Sequence, residues 1–470
     1  LRLTRRQRQM CIRDSLSCTL PRWPQAEREI AMFRYYLKLG SLSIRANPML
    51  SFLMVAAIAI GIGACMTIMT VKHVMSGNPI AHKNDQLYHV QVDNWNPDDP
   101  YQDPDLPPEQ LAYLDAKALF DASRAFRQTT SYKISRVVQP EGDDARPFQT
   151  EGRATTADFF PMFDVPFQFG SGWDSSADAT EERVVVLSRE LNEQVFGGEN
   201  SVGRVMTING ESFRVSGVLD EWTPVPKFFD LNNNPYEEPE ALYLPFSLAV
   251  VGKFDRSGNT SCWKPIDGEG FEAFLASECI WIQMWVELQD EAAKADYMQF
   301  LDAYVEEQKL LGRFPRPLNN RLYNPAEWMD YQEVVDDDVD VLLGLAVLFL
   351  VVCLLNTIGL LLAKSMRRAK DTSLRRALGA SKLELFKQHI FEAGIIGVAG
   401  GLLGIAMTWL GLRGIENLYV EYDFIQHLVR MDWSMISLAV VLAVVSALGA
   451  ALYPTWRTCN ITPATHLRLQ

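Results

Sequence analysis

The chemistry-bearing residues of this chain are its carboxylates, its cysteines and one dense run of cations, and their spacing excludes most catalytic classes. No GxSxG, HExxH or Ser/His/Asp arrangement occurs, so neither an activated serine nor a helix-borne zinc site is available. The acidic pairs Glu181-Glu182 and Glu237-Glu238 are dispersed, which suits a solvated surface better than acid/base machinery. Six histidines are scattered and the seven cysteines form no CxxC, so no metal and no haem is expected. A phosphate loop reads GxxxxGK[ST], and Lys364-Ser365 lacks the preceding glycines. No catalytic residue is assigned, and the chain is expected not to be an enzyme. The dense run is Lys364, Arg367, Arg368, Lys370, Arg375, Arg376, Lys382 and Lys387, set against only Asp371 and Glu384.

Four apolar elements frame that run. Ala46–Val71, Val341–Ala363, Ala393–Leu412 and Trp433–Trp456 each lack any charged residue, and as helices each reaches about 30 Å, the thickness of a bilayer core. The bulk composition, 48% hydrophobic and 22% charged, hides them, and they exclude a soluble cytoplasmic enzyme. Residues 73–338 hold 47 Asp and Glu against 21 Lys and Arg, a net of −26, while the rest of the chain sums to +12. By the positive-inside rule the cation-rich loop between the second and third spans is cytoplasmic. Counting crossings then puts both termini inside and 73–338 outside. Topology accounts for the basic cluster, so nucleic acid is not an expected partner. Cys65 and Cys353 lie within spans and Cys459 is cytoplasmic, which leaves Cys262 and Cys279 as the one pair in an oxidising compartment. A disulfide between them is favoured over two buried thiols.

The outer block is large enough for its own core and reads as α+β. Gln86–Val92 alternates as a strand, Leu111–Phe126 is expected to be a helix, and Val184–Leu187 a buried strand. Ser188 caps a helix to Phe196 that Gly197-Gly198 ends. Val205–Ile208 and Ser212–Val218 form a hairpin through Asn209-Gly210, a pair suited to a type I′ turn. Leu242–Leu244 and Trp281–Leu288 read as strands, and Ala292–Leu311 as a helix with Tyr297, Leu301, Tyr304 and Val305 on one face. Trp222, Phe228, Phe229, Trp281 and Trp285 are expected in the core rather than in a ligand cage. Pro325–Asp340 is expected to extend the second span outward as a stalk.

Two regions resemble a known family. Thr156, Asp158-Phe159-Phe160, Phe169-Gly170, Val184–Ser188, Phe196-Gly197, Val202-Gly203 and Val215–Val218 are similar to the periplasmic core domain of MacB-type ABC transporters. Arg367-Arg368, Thr372–Ser381 and the tail Ile461–Ala464 with Leu467-Arg468 resemble the FtsX-type permease domain. The resemblance implies a type VII ABC permease that passes ATP-driven motion from a cytoplasmic ATPase dimer to its outer domain. With no phosphate loop in the chain, ATP and Mg are expected on a separate ATPase partner, and no cofactor on this one. A second permease subunit, as homodimer or paralogous heterodimer, membrane lipid and a periplasmic adaptor are the other expected partners. The expected activity is export or extraction of a peptide, lipoprotein or amphipathic compound handled at the periplasmic side, by a permease seated in the inner (cytoplasmic) membrane. The alternatives are a non-transporting transmitter that activates a cell-wall hydrolase and an antimicrobial-peptide sensor subunit.

The expected architecture is an α-helical four-span membrane protein with a large α+β periplasmic domain inserted between spans 1 and 2. Residues 1–31 are read as a non-native or disordered leader, 32–48 as a cytoplasmic amphipathic helix and 49–72 as the first span. The outer domain follows at 73–338, the second span at 339–364, a coupling segment at 365–388 and the third span at 389–412. A short outer loop at 413–432, a fourth span at 433–456 and a cytoplasmic tail at 457–470 complete the order. Within the coupling segment, Arg375, Arg376, Leu378, Gly379 and Ser381 are the expected ATPase-docking residues, on a helix lying along the membrane. Anchoring by the positive-inside effect alone is the plainer reading of the same charges. Gly397, Gly400, Gly401 and Gly404 form small-xxx-small pairs, either for packing within the subunit or for a subunit interface. Glu392 is expected to pair with an interfacial cation, and Asn356 to make a helix-to-helix hydrogen bond.

Overall fold

The computed structural model describes residues 40–140, 146–367, 381–418 and 433–459, together with 35, 38, 374 and 379. The expectations for residues 1–31, for most of 32–39, for 419–432 and for the tail beyond 459 lie outside the described residues. Two compact units emerge among the described residues: 71–339 with 418, and 40–70 with 340–417 and 433–459.

The second of these units is built from four helices, Pro48–Met75, Asp337–Arg367, Lys382–Leu418 and Trp433–Cys459. Each is long and apolar enough to cross a membrane, so the chain is a multi-pass membrane protein. Residues 40–46 are helical before a bend at Asn47, where Pro48 opens the first long helix without needing an N–H partner. The expected separate helix at 365–388 is corrected at both ends. The second long helix runs on to Arg367, and residues 382–388 are the first two turns of the third.

The large inserted unit carries an eleven-stranded sheet. Its strands are β1 Leu87–Gln91, β2 Leu111–Ala112, β3 Arg127–Gln139, β4 Phe148–Thr155, β5 Phe167–Gly170, β6 Val184–Leu187, β7 Val205–Ile208, β8 Glu211–Leu219, β9 Leu242–Pro245, β10 Ile280–Glu287 and β11 Arg321–Tyr323. Their order is β11-β1-β10-β3-β4-β9-β6-β8-β5, with β2 on β10 and β7 bridging β3 to β8. That bridge closes β3, β4, β9, β6, β8 and β7 into a ring. Among the described strands only β4–β9 and β6–β8 run parallel. Both sheet faces are covered: on β6, Val185 and Leu187 enter one apolar cluster while Val184 and Val186 enter another rich in Phe, Tyr and Trp. This two-sided burial explains why the strand is continuously apolar rather than alternating.

Local sequence chemistry sets several elements. Ser188 Oγ accepts from the Leu191 N–H and Gly197 ends the helix at φ 70°; the β7–β8 hairpin turns through Asn209 at φ 50° and Gly210 at φ 82°, as a type I′ turn requires. Phe228, Phe229, Trp281 and Trp285 are buried, and Trp222 stacks on Phe229 at 5.3 Å. Cys262 and Cys279 are joined by a disulfide.

Two expectations need correction. In place of a helix over Leu111–Phe126, Leu111 and Ala112 pair with β10, and the helix is confined to Tyr113–Ala122 by Ser123 in the left-handed region. The stalk is also interrupted. The helix Pro325–Tyr331 opens on a capping box between Asn324 and Glu327 and stops before Asp337. Trp328 is stacked on the buried His89 at 3.9 Å, and Val334 is buried in the aromatic cluster. Packing therefore draws 325–334 into the domain core instead of extending the second span.

A buried charge network fastens the long segment 222–241 to the sheet. Arg153 on β4 is fully buried and binds Glu240 through Nε at 3.0 Å and Nη2 at 2.6 Å, and it also binds Asp230. Lys227, equally buried, lies 3.4 Å from Glu240 and 3.3 Å from Glu237. Glu237 also takes Lys133 at 2.8 Å, so this carboxylate is not a merely solvated group. Burial alone would raise the Glu240 carboxyl, but Arg153 and Lys227 prevail and hold it down at about 2. A carboxylate depressed in the folded state stabilises above its unfolded pKa near 4.5, and that stability is lost as pH falls toward 2. Glu240→Gln is expected to remove about 3–5 kcal/mol at pH 7 by leaving buried cations under-compensated. It should also flatten the loss of stability between pH 4.5 and 2, as read by thermal unfolding of the whole chain followed by tryptophan fluorescence.

Candidate functional site: a buried ion pair at the foot of the connecting segment

Of the five expected docking residues, Arg375, Arg376 and Leu378 lie outside the described residues. Gly379 has φ 99°, a left-handed value that a side chain would strain. Ser381 has a structural part that the docking reading missed. Its Oγ accepts from the Glu384 N–H at 3.2 Å, and Glu384 Oε2 accepts from the Ser381 N–H at 3.2 Å. This reciprocal capping box starts the third long helix, and its signal, Ser381-x-x-Glu384, is present in the sequence.

At the end of the second span and near the start of the third, two charges meet. Lys364 Nζ lies 2.5 Å from Glu392 Oε1, with each side chain 5% exposed. Lys364 also donates to Ser51 Oγ at 3.2 Å, Ser43 Oγ donates to Glu392, and His389 Nδ1 stands 3.9 Å from Glu392 Oε2. A cavity of about 30 Å³ opens beside the pair, walled in part by Leu361, Pro454 and Thr455. The knot thus draws on the N-terminal turn and on all four long helices. Neither charge could stay buried alone, because desolvation in a low-dielectric interior costs several kcal/mol per ion. The expected cation partner of Glu392 is therefore Lys364, 28 positions earlier in the chain.

Close helix approach surrounds this knot. A Cβ placed on Gly397 or Gly401 would come within 2.7 Å of Ala447 or 2.8 Å of Ala443 on the fourth helix. On Gly400 or Gly404 it would meet Ile58 at 2.7 Å or Ile62 at 3.1 Å on the first. Of the two readings of these glycines, the structure places all four in packing within the chain, with the third helix seated between the first and fourth. Asn356 departs from expectation: it is exposed on the second helix beside Val352 and Leu355, and it makes no hydrogen bond among the described residues. The face it occupies points away from the other helices.

Comparison with known proteins places both units. The MacB-like periplasmic core domain family matches residues 51–304, and the FtsX-like permease C-terminal family matches residues 343–463. A macrolide export ATP-binding/permease protein MacB of Bdellovibrio bacteriovorus is 24% identical over 243 residues, covering 51% of this chain and 32% of that protein. A pyoverdine export ATP-binding/permease protein PvdT of Pseudomonas aeruginosa is 23% identical over 315 residues, covering 67% of this chain and 41% of that one. The crystal structure of the periplasmic region of MacB from Actinobacillus actinomycetemcomitans aligns with a TM-score of 0.35 at 16% identity, over 54% of this chain and 95% of that region. The chain accordingly spans between 32% and 41% of the length of the two curated relatives.

Removing one charge of the knot leaves the other buried without a partner. Lys364→Met is expected to lower stability by about 3–5 kcal/mol, and Lys364→Met combined with Glu392→Met to recover most of it. Thermal unfolding in detergent checks this, and equal losses in the single and double variants would show that the two charges are not coupled.

Proposed function

This chain belongs to the MacB/FtsX-type ABC transporter permeases, and from that premise we propose that it transmits motion from a separate cytoplasmic ATPase dimer to an outer domain. The observation that carries the reading is the order of the two family matches. A MacB-like core domain follows the first span, and an FtsX-like region covers the last three spans and the cation-rich segment between two of them. The charge asymmetry supports an inner-membrane orientation with both termini in the cytoplasm and residues 73–338 outside. No phosphate loop occurs within these 470 residues, so ATP and Mg binding is assigned outside them. A dimeric ATPase offers two docking grooves, which calls for a second permease subunit, and the cargo is a peptide, lipoprotein or amphipathic compound handled at the outer face.

In this reading, Arg375 and Arg376 meet acidic rims on the ATPase while Leu378 enters an apolar groove. Gly379 then gives the chain its left-handed turn toward the Ser381 cap. The cap and the Lys364–Glu392 pair fix the segment's two attachment helices, so a push on the segment is delivered to the bundle rather than absorbed by fraying helix ends. Leu378→Asp would put a charge into a desolvated groove, at a cost of several kcal/mol. The expected outcome is a correctly inserted permease that no longer co-purifies with its ATPase or stimulates ATP turnover. Full binding and stimulated turnover in that variant would overturn docking through this segment.

A further inference from the structure

A second candidate site lies within the inserted domain, apart from the membrane helices. Between the sheet and two of its covering helices, Tyr113–Ala122 and Phe246–Val251, there is a cavity of about 450 Å³. That volume is in the range of small-molecule sites. Its walls are largely apolar and aromatic: Tyr113 and Phe120 from the first helix, Phe246, Val250 and Val251 from the second. Tyr113 and Phe246 lie nearly parallel, with ring centroids 6.4 Å apart.

Two features distinguish this space from a packing gap. Thr130 on β3 lines it and is 1% exposed, yet its Oγ1 has no hydrogen-bond partner. A buried hydroxyl without a partner is costly, and a polar group of a ligand would satisfy it. The ionic lining is also unbalanced. Lys117 is answered by Asp121 at 2.6 Å, whereas Glu181, an exposed carboxylate lining the same cavity, makes no ion pair among the described residues. Asp178, also in the wall, is committed to the fold, since it accepts from the Ala157 N–H and the Trp173 indole N–H, both at 2.8 Å.

We propose that this cavity binds a compact amphipathic amine, with its apolar body against Tyr113, Phe120 and Phe246, a polar group on Thr130 and its protonated nitrogen toward Glu181. The proposal does not depend on ATPase docking, and its test needs no ATPase. The full chain in zwitterionic nanodiscs is titrated with 2-(1-naphthyl)ethylamine, 2-(1-naphthyl)ethanol and 3-(1-naphthyl)propionate, using saturation-transfer NMR with empty nanodiscs subtracted. One saturable site is expected for the amine, with the alcohol weaker by about tenfold, the loss of a single charge contact, and the carboxylate weaker still. Glu181→Gln should bring the amine down to the affinity of the alcohol, and Val251→Trp, at a position 59% exposed and so tolerant of change, should close the mouth and abolish binding. No saturable binding, unchanged binding in both variants, or a carboxylate that binds as well as the amine would each overturn the proposal.

Discussion

A charge placed inside a bilayer must find its opposite, and in this chain that constraint decides how the membrane helices end. Lys364, near the end of the second long helix, and Glu392, nearly three turns into the third, are each almost stripped of solvent and are held by each other and by Ser51, Ser43 and His389. Apolar helices in lipid have little reason to prefer one rotation over another, since the tails around them are as apolar as leucine. The ion pair supplies such a reason, because it is made only when the second and third helices present the right faces at the right height. Gly397, Gly400, Gly401 and Gly404 then let the third helix close on both neighbours. The glycines allow close approach, and the charges specify which approach is made.

The inserted domain applies the same physics in water. Its segment 222–241 carries little regular structure beyond one short helical turn, yet it lies across the sheet because Arg153, Lys227, Asp230 and Glu240 are buried together. Breaking any member strands the others, so the network acts as a clasp more than as a source of net stability. The disulfide between Cys262 and Cys279 ties a second irregular stretch to the start of β10. Irregular chain is thereby held in place around a closed ring of strands, a rigid body for a domain proposed to move as a unit.

Much of this was legible wherever the controlling chemistry is local. The four uncharged runs, the Ser188 cap with its Gly197 stop and the Asn209-Gly210 turn all act within a few residues, and the structure has them in place. Contacts between distant residues decided the rest. Leu111-Ala112 has a helical pattern but is taken by β10, and the stalk is broken because Trp328 finds His89. Glu237 looks like surface until Lys133 and Lys227 are brought to it. Ser381 stood out for its place in a family motif, while its capping bond to Glu384 was readable from spacing alone. Thr130 carries no signal in sequence at all, since a hydroxyl lacking a partner is a property of the folded cavity.

The central claim is that motion produced by a separate ATPase reaches the outer domain. Leu310, 88% exposed at the end of the helix Glu291–Leu310, offers a position for a spin label that leaves the core undisturbed. The most direct measurement is the electron–electron resonance distance between labels at position 310 of the two copies in the proposed permease homodimer, taken in the assembled complex with and without ATP. A distance distribution that shifts on addition of ATP, and does so only when the ATPase is present, is the predicted result. An unchanged distribution in a complex that hydrolyses ATP would contradict the claim.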